Sequence, residues 1–233
     1  MDRAEAPPDG VPIGRRIVLG MLGLGAAGIV FGKAIQDKLS QVLSPNLASL
    51  LPSGGRFRIY SVVGFLPRRS AAAYRLRVDG LVDHPLDLGF AHLTAMRATA
   101  LTRDFQCVTG WRVPDVAWRG VKVSDLLDRA GVQAGAVALR IYSFDGVYTE
   151  SLTLDQARRD DVLVVYEMEG KPVSAAHGGP VRLLVAPMYG YKSLKWLDRI
   201  EVANEVVPGF WEKRDYEIDA WVGRSNGRSD DPT

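Results

Sequence analysis

Cysteine is almost absent: Cys107 stands alone among 233 residues, so no disulfide can form within the chain and a disulfide-stapled scaffold is excluded. An excess of one charge is absent too. Lys and Arg number 29 against 27 Asp and Glu, a formal net charge of +2, and the basic residues are scattered, which gives nucleic-acid binding no support. The chain has no internal repeat, no phosphate-binding P-loop and no H-E-x-x-H, which removes the P-loop and zinc-protease chemistries. What remains is ordinary. Hydrophobic residues make up 47% and charged residues 24%, the balance of a folded protein. The length suits one substantial domain with an N-terminal extension. In such a chain a lone cysteine is by default a small buried apolar residue, so its surroundings must decide its role.

The N-terminus reads as an export segment. Gly14-Arg15-Arg16 precedes an uncharged run, IVLGMLGLGAAGIVFG at 17–32, which ends at Lys33. The run is shorter and richer in glycine than the roughly 20 apolar residues of a spanning helix. A twin arginine before a modest apolar stretch resembles a Tat signal, although Gly14 stands where Ser or Thr is usual. No small-x-small cleavage site follows, so a retained anchor is expected. With Arg15 and Arg16 held on the cytoplasmic side, the remainder faces the extracytoplasmic side of the membrane. A cleaved signal and a buried helix of a soluble domain are the alternatives. The expected organisation is signal or anchor at 1–33, linker at 34–55, catalytic domain at 56–219 and C-terminal tail at 220–233.

Within the domain, 74–80 alternates apolar and polar residues and ends at Asp79-Gly80, a strand running into a tight turn. A short helix is expected at 87–98. Another starts at Ser124 as N-cap and stops at Gly131. Strands are expected at 137–142, 162–168, 181–185 and 200–202, with a short helix at 154–159. Strands outnumber helices without regular alternation, so the expected class is α+β with a strand-rich core.

Three segments carry the chemistry. The first is FQCVTGW at 105–111, followed by AWRGV at 117–121. The second is YSFDG at 142–146. The third is HGGPVR at 177–182, running on to YGYKSLKW at 189–196. The third is suited to an anion. Gly178 and Gly179 allow backbone N–H groups to approach it, and Arg182 offers a planar fork. Lys192 and Lys195 add point charge, while Tyr189, Tyr191 and Trp196 offer flat faces to a heterocycle.

Together these segments resemble the molybdopterin-binding domain of the sulfite oxidase family over roughly residues 56–219. The resemblance implies that Cys107 is the thiolate ligand of molybdenum, completed by the dithiolene sulfurs of a pyranopterin and by oxo or hydroxo groups. It implies that His177, Arg182, Gly190, Tyr191, Lys192 and Lys195 contact the pterin or its phosphate. Ser143 aligns with a hydroxyl-bearing position near the cofactor, and Tyr60 and Ser61 with the family's N-terminal cofactor loop. His84 and His92 match nothing.

Where the vertebrate sulfite oxidases have an arginine-rich stretch after the cysteine, this chain has Val-Thr-Gly-Trp, with Arg112 the one base nearby. No His-Pro-Gly-Gly haem pattern occurs, and the expectation is that the family's dimerisation module is missing, leaving a monomer. The single-domain bacterial reductases are the nearer comparison. The expected activity is two-electron oxygen-atom transfer on a small substrate, either oxidation as in the sulfite oxidases or reduction of a sulfoxide or N-oxide. Electrons would pass through a membrane cytochrome or quinone-linked partner. A non-catalytic, membrane-anchored binding module on the same fold is the reading from another class.

Overall fold

The computed structural model describes residues 57–231. The twin arginine, the apolar run and the linker lie outside the described residues. Among the described residues no helix is long and apolar enough to cross a membrane.

Two sheets make up the domain. The first has the order β2 (Leu86–Gly89), β1 (Arg75–Gly80), β10 (Leu197–Ala203), β5 (Ala138–Ser143), β6 (Thr149–Thr153). In it β1 and β10 run parallel and the other pairs antiparallel. The second has the order β3 (Thr99–Gln106), β4 (Arg112–Lys122), β7 (Val162–Met168), β8 (Lys171–Pro172), with β9 (Arg182–Val185) also paired to β7. Three short helices connect them: α1 (Phe90–Thr94), α2 (Val123–Ala130) and α3 (Leu154–Ala157).

The central strand β7 shows how the sequence produces two cores. Its alternate residues point to opposite faces. Val162, Val164 and Tyr166 enter the main core with Leu76, Val78, Leu139, Ile141, Ile200 and Val202 of the first sheet and Leu126 and Leu127 of α2. Leu163 and Val165 enter a second core with Phe105, Val113, Val116 and Trp118. At roughly 1.5–3 kcal/mol for each fully buried aliphatic side chain, a strand apolar on both faces is a large stabilising element. Its run of unbroken hydrophobicity follows from that double burial.

The α+β, strand-rich class holds. The expected helix at 87–98 resolves into β2 followed by the single turn of α1, because Leu86–Gly89 finds an open edge on β1. Helix α2 stops at Gly131, in a left-handed conformation, φ 70°. It begins at Val123 with Lys122 in the cap position, two residues ahead of the expected Ser124 cap. The expected C-terminal tail is corrected. Ala220 and Val222 are buried, Tyr189 donates its backbone N–H to Ala220 O at 2.8 Å, and Tyr189 Oη donates to Asp230 at 2.7 Å. Residues 220–230 belong to the domain because they supply apolar cover and backbone partners to the loop after β9.

Candidate active site

Cys107 sits at the tip of the β3–β4 hairpin. Its backbone N–H donates to Trp111 O at 2.9 Å, and Gly110 N–H donates back to Cys107 O at 3.0 Å. The turn so closed leaves the thiol half-buried, with its Sγ 3.2 Å from Thr109 Oγ1. Beneath it Phe57, Phe105, Trp111 and Trp118 pack edge to face or tilted, with ring centroids 5.4–6.4 Å apart. This is a rigid apolar floor.

The thiol opens into a cavity of about 270 Å³. Its wall is assembled from segments that leave the sheets at one end: residues 57–62, the cysteine turn, the 145–148 turn after β5, the 3-10 turn Ala175–His177, residues 190–196 between β9 and β10, and Trp211 with Tyr216. Pins across the segments fix the wall. Gly190 N–H donates to Gln106 O at 2.7 Å. Tyr148 Oη donates to Tyr191 O at 2.7 Å, Trp196 Nε1 to Ala175 O at 2.9 Å, and Lys195 Nζ to Tyr60 O. Gly178, at φ 100°, lies against Lys195; a Cβ there would come within 2.6 Å of the lysine Cβ, so glycine is what lets Lys195 lie along the 3-10 turn.

The electrostatics are cationic at low solvation. Burial pulls the Arg182 guanidinium down to about 10, which still leaves it charged at neutral pH. Burial, then the Arg182 charge, pulls the Lys195 ammonium down to about 8 against the opposing pull of Asp145. Burial and the charges of Arg182 and Lys195 hold the His177 imidazole below its usual range. An anion seated here favours protonated Lys195, so above about pH 8 its binding must take up a proton. Affinity should then fall by up to about tenfold per pH unit until the bound-state pKa is reached. Calorimetric titration of cofactor-free protein with sulfate, which does not itself titrate in this range, should show little slope near about pH 7 and that slope between about pH 8 and about pH 9.5. Lys195→Met should flatten it; an equal slope in that variant would remove Lys195 from the anion site.

The structure gathers Tyr60, Ser61, Cys107, His177, Arg182, Gly190, Tyr191 and Lys195 around this one cavity. It does not place Ser143 or Lys192 on its wall. Ser143 Oγ instead accepts from Asp145 N–H at 3.2 Å, holding the turn that carries Asp145. Lys192 is fully buried with Glu150, at 2.9 Å, and Glu212. Burial opposes its charge, but the two carboxylates outweigh that and hold the ammonium above the usual lysine range. Arg182 is less free than a phosphate fork requires. Its Nη1, Nη2 and Nε already donate to His177 O (2.8 Å), Ser193 O (2.9 Å) and Leu183 O (3.3 Å), and its plane lies over Phe105 and Trp118. The N–H groups of Gly178 and Gly179 are likewise spent on Ala175 O and Ser174 O. Asp145 was legible in the sequence only as a turn residue, and Trp211 and Tyr216 lie beyond the third motif.

A pterin-bound molybdenum fits these residues. Among the described residues no group of three or more His, Cys, Asp or Glu could hold a metal ion, and the Cys107 thiol on the cavity wall is a soft donor of the kind a metal carried on its own cofactor accepts. Two buried polar atoms of lining residues, Trp111 Nε1 and Asp145 Oδ2, have no hydrogen-bond partner among the described residues. Unpaired buried donors and acceptors are costly, and a heterocycle with N–H and C=O edges is a suitable partner. The aromatic faces and the Lys195 charge complete the match.

Comparison with known proteins agrees. The Oxidoreductase molybdopterin binding domain family matches residues 63–211. An uncharacterized oxidoreductase of Bacillus subtilis (strain 168), YuiH, is 37% identical over 150 residues, 64% of this chain and 75% of that protein. The sulfite oxidase of Arabidopsis thaliana is 29% identical over 180 residues, 63% of this chain, and there the chain spans only 46% of the relative's length. The sulfane dehydrogenase SoxCD of Paracoccus pantotrophus shares the fold, with a TM-score of 0.57 at 23% identity, covering 66% of this chain and 43% of that one. The cysteine turn, the cavity it faces and the family match over most of the described domain make this chain a member of the sulfite-oxidase-like molybdopterin oxidoreductases, an enzyme whose cofactor is molybdenum on molybdopterin.

Proposed function

We propose that the chain catalyses two-electron oxygen-atom transfer on a small neutral substrate, a sulfoxide or N-oxide, at the extracytoplasmic face of the membrane. The observation that carries this reading is the Cys107 thiol opening into a cavity with an aromatic floor and a buried cationic wall. When bound, the cofactor supplies the oxygen-atom and electron exchange between water and substrate. The chain's own residues do the rest. Cys107 ligates the metal and sets its electronics. Lys195 and His177 would hold the cofactor's anionic group, Tyr60, Ser61, Gly190 and Tyr191 would line its bed, and Asp145 Oδ2 would accept a hydrogen bond from it. Arg182 braces the wall rather than gripping the phosphate. Tyr148, Trp211 and Tyr216 narrow the cavity and exclude water.

The preference for a neutral substrate rests on Arg112. The one base near the cysteine in sequence is paired with Asp104 and is not among the residues lining the cavity, so Arg112 is not placed to hold sulfite. Electrons come from a membrane cytochrome or quinone-linked protein, and the enzyme works as a monomer tethered by its N-terminal segment. Purified protein from a molybdenum-replete host should contain close to one molybdenum and one releasable pterin per chain. With a reduced dye as donor it should turn over a sulfoxide or N-oxide in preference to oxidising sulfite. Arg15→Lys with Arg16→Lys should abolish export, and the wild-type protein should stay in the membrane pellet through a carbonate wash. Absence of molybdenum would defeat the catalytic reading, activity confined to the cytoplasm the localisation, and a soluble mature protein outside the membrane the anchor.

A further inference from the structure

Thr109 is not among the residues to which the family resemblance gives a role, yet its hydroxyl lies 3.2 Å from Cys107 Sγ and lines the cavity beside it. Among the described residues that hydroxyl has no other hydrogen bond. In the free protein either atom can be the donor. Once the sulfur ligates a metal it carries no proton, and the threonine O–H alone can donate.

The contact is imposed by the local chain. Cys107 and Thr109 are two residues apart in a turn closed by Gly110 N–H on Cys107 O and by Cys107 N–H on Trp111 O. Gly110 adopts φ 95°, a conformation that costs other residues strain. The Cβ branch of threonine restricts its χ1, so the hydroxyl is held over the sulfur without relying on a long flexible chain. Valine at this position keeps the branch and nearly the volume, and removes only the O–H.

On the reading that Cys107 is the molybdenum ligand, we propose that Thr109 is a positioning residue of the metal centre: its hydroxyl donates a hydrogen bond to the Cys107 sulfur and tunes the metal through it. A donor on a ligating sulfur draws electron density away from the metal and favours the reduced state. Removing the donor favours the oxidised state. Nothing else in the turn changes, and the side chain is exposed, so the fold should be insensitive to the change.

The test is a redox titration of the molybdenum(V) EPR signal in wild-type, Thr109→Val and Thr109→Ser holoenzyme, alongside molybdenum content. Thr109→Val is expected to load molybdenum normally and to shift the oxidised-to-reduced ratio towards oxidised metal about tenfold at a fixed ambient potential, about 59 mV for a one-electron couple. Its EPR parameters should move with it. Thr109→Ser, which keeps the hydroxyl, should return both to the wild-type values. A Thr109→Val potential and spectrum equal to wild type would overturn the proposal, as would a Thr109→Ser protein shifted like the valine variant. In either case a wild-type molybdenum signal leaves the catalytic reading standing, whereas wild-type protein with no molybdenum defeats both.

Discussion

Cys107→Ser should yield a folded protein whose oxygen-atom-transfer rate is lower by at least about 100-fold, since even partners of a metal ligand are worth 10- to 100-fold. Its molybdenum spectrum should lose the thiolate contribution. The effect is separable from stability. Cys107 is only half-buried at a hairpin tip, and a near-isosteric change at such a position costs within about 1 kcal/mol. Urea denaturation of the variant should therefore overlay the wild type while turnover is lost. Full activity with an unaltered molybdenum spectrum would return Cys107 to the role of a packing residue.

The second large effect is on stability. Lys192→Met should cost about 3–5 kcal/mol, because it leaves Glu150 and Glu212 in a fully buried site without their cation. That is a large share of the roughly 5–15 kcal/mol by which domains are stable. Burial already holds the Glu150 carboxyl well above its usual range despite the opposing pull of Lys192, and the neighbouring Glu212 adds to it. A carboxyl raised in the folded state favours folding more as pH falls, since its neutral form is the one the interior accepts. The deficit of Lys192→Met should accordingly shrink from about pH 7 to about pH 5. Adding Glu212→Gln should recover part of it at neutral pH. Equal stability of Lys192→Met and wild type at neutral pH would show the triad to be energetically idle. Depleted cofactor in this variant would reflect a loosened wall, not a lost phosphate contact.

The sequence was most legible where one residue type had one plausible use. The strand expected at 162–168 is β7, and the helix expected to stop at Gly131 does stop there. The sequence was least legible where a charge's partner is remote. Nothing near Lys192 in sequence announces Glu150 and Glu212, 42 and 20 residues away, so its charge read as ligand-facing when it neutralises the interior. Arg182 is the same case, its nitrogens spent on carbonyls that no pattern reveals. The β3–β4 hairpin drew no strand reading because its alternation is broken by Pro114 and by a register shift between Arg103 and Phe105. Asp145 hid inside turn chemistry, since an Asp-Gly pair is already explained by the turn it makes.

The way the cavity wall is drawn from the chain sets an order of events during biosynthesis. Phe57 and Tyr216 both line it, and the loop at its base is held by Ala220 and Asp230. No shorter stretch of nascent chain contains the wall together with its brace. The first half of the domain alone offers a bound pterin the 57–62 segment, the cysteine turn and the 145–148 turn, but not the third motif, Trp211 or Tyr216. The full set of wall contacts therefore exists only after the chain has been made through Asp230.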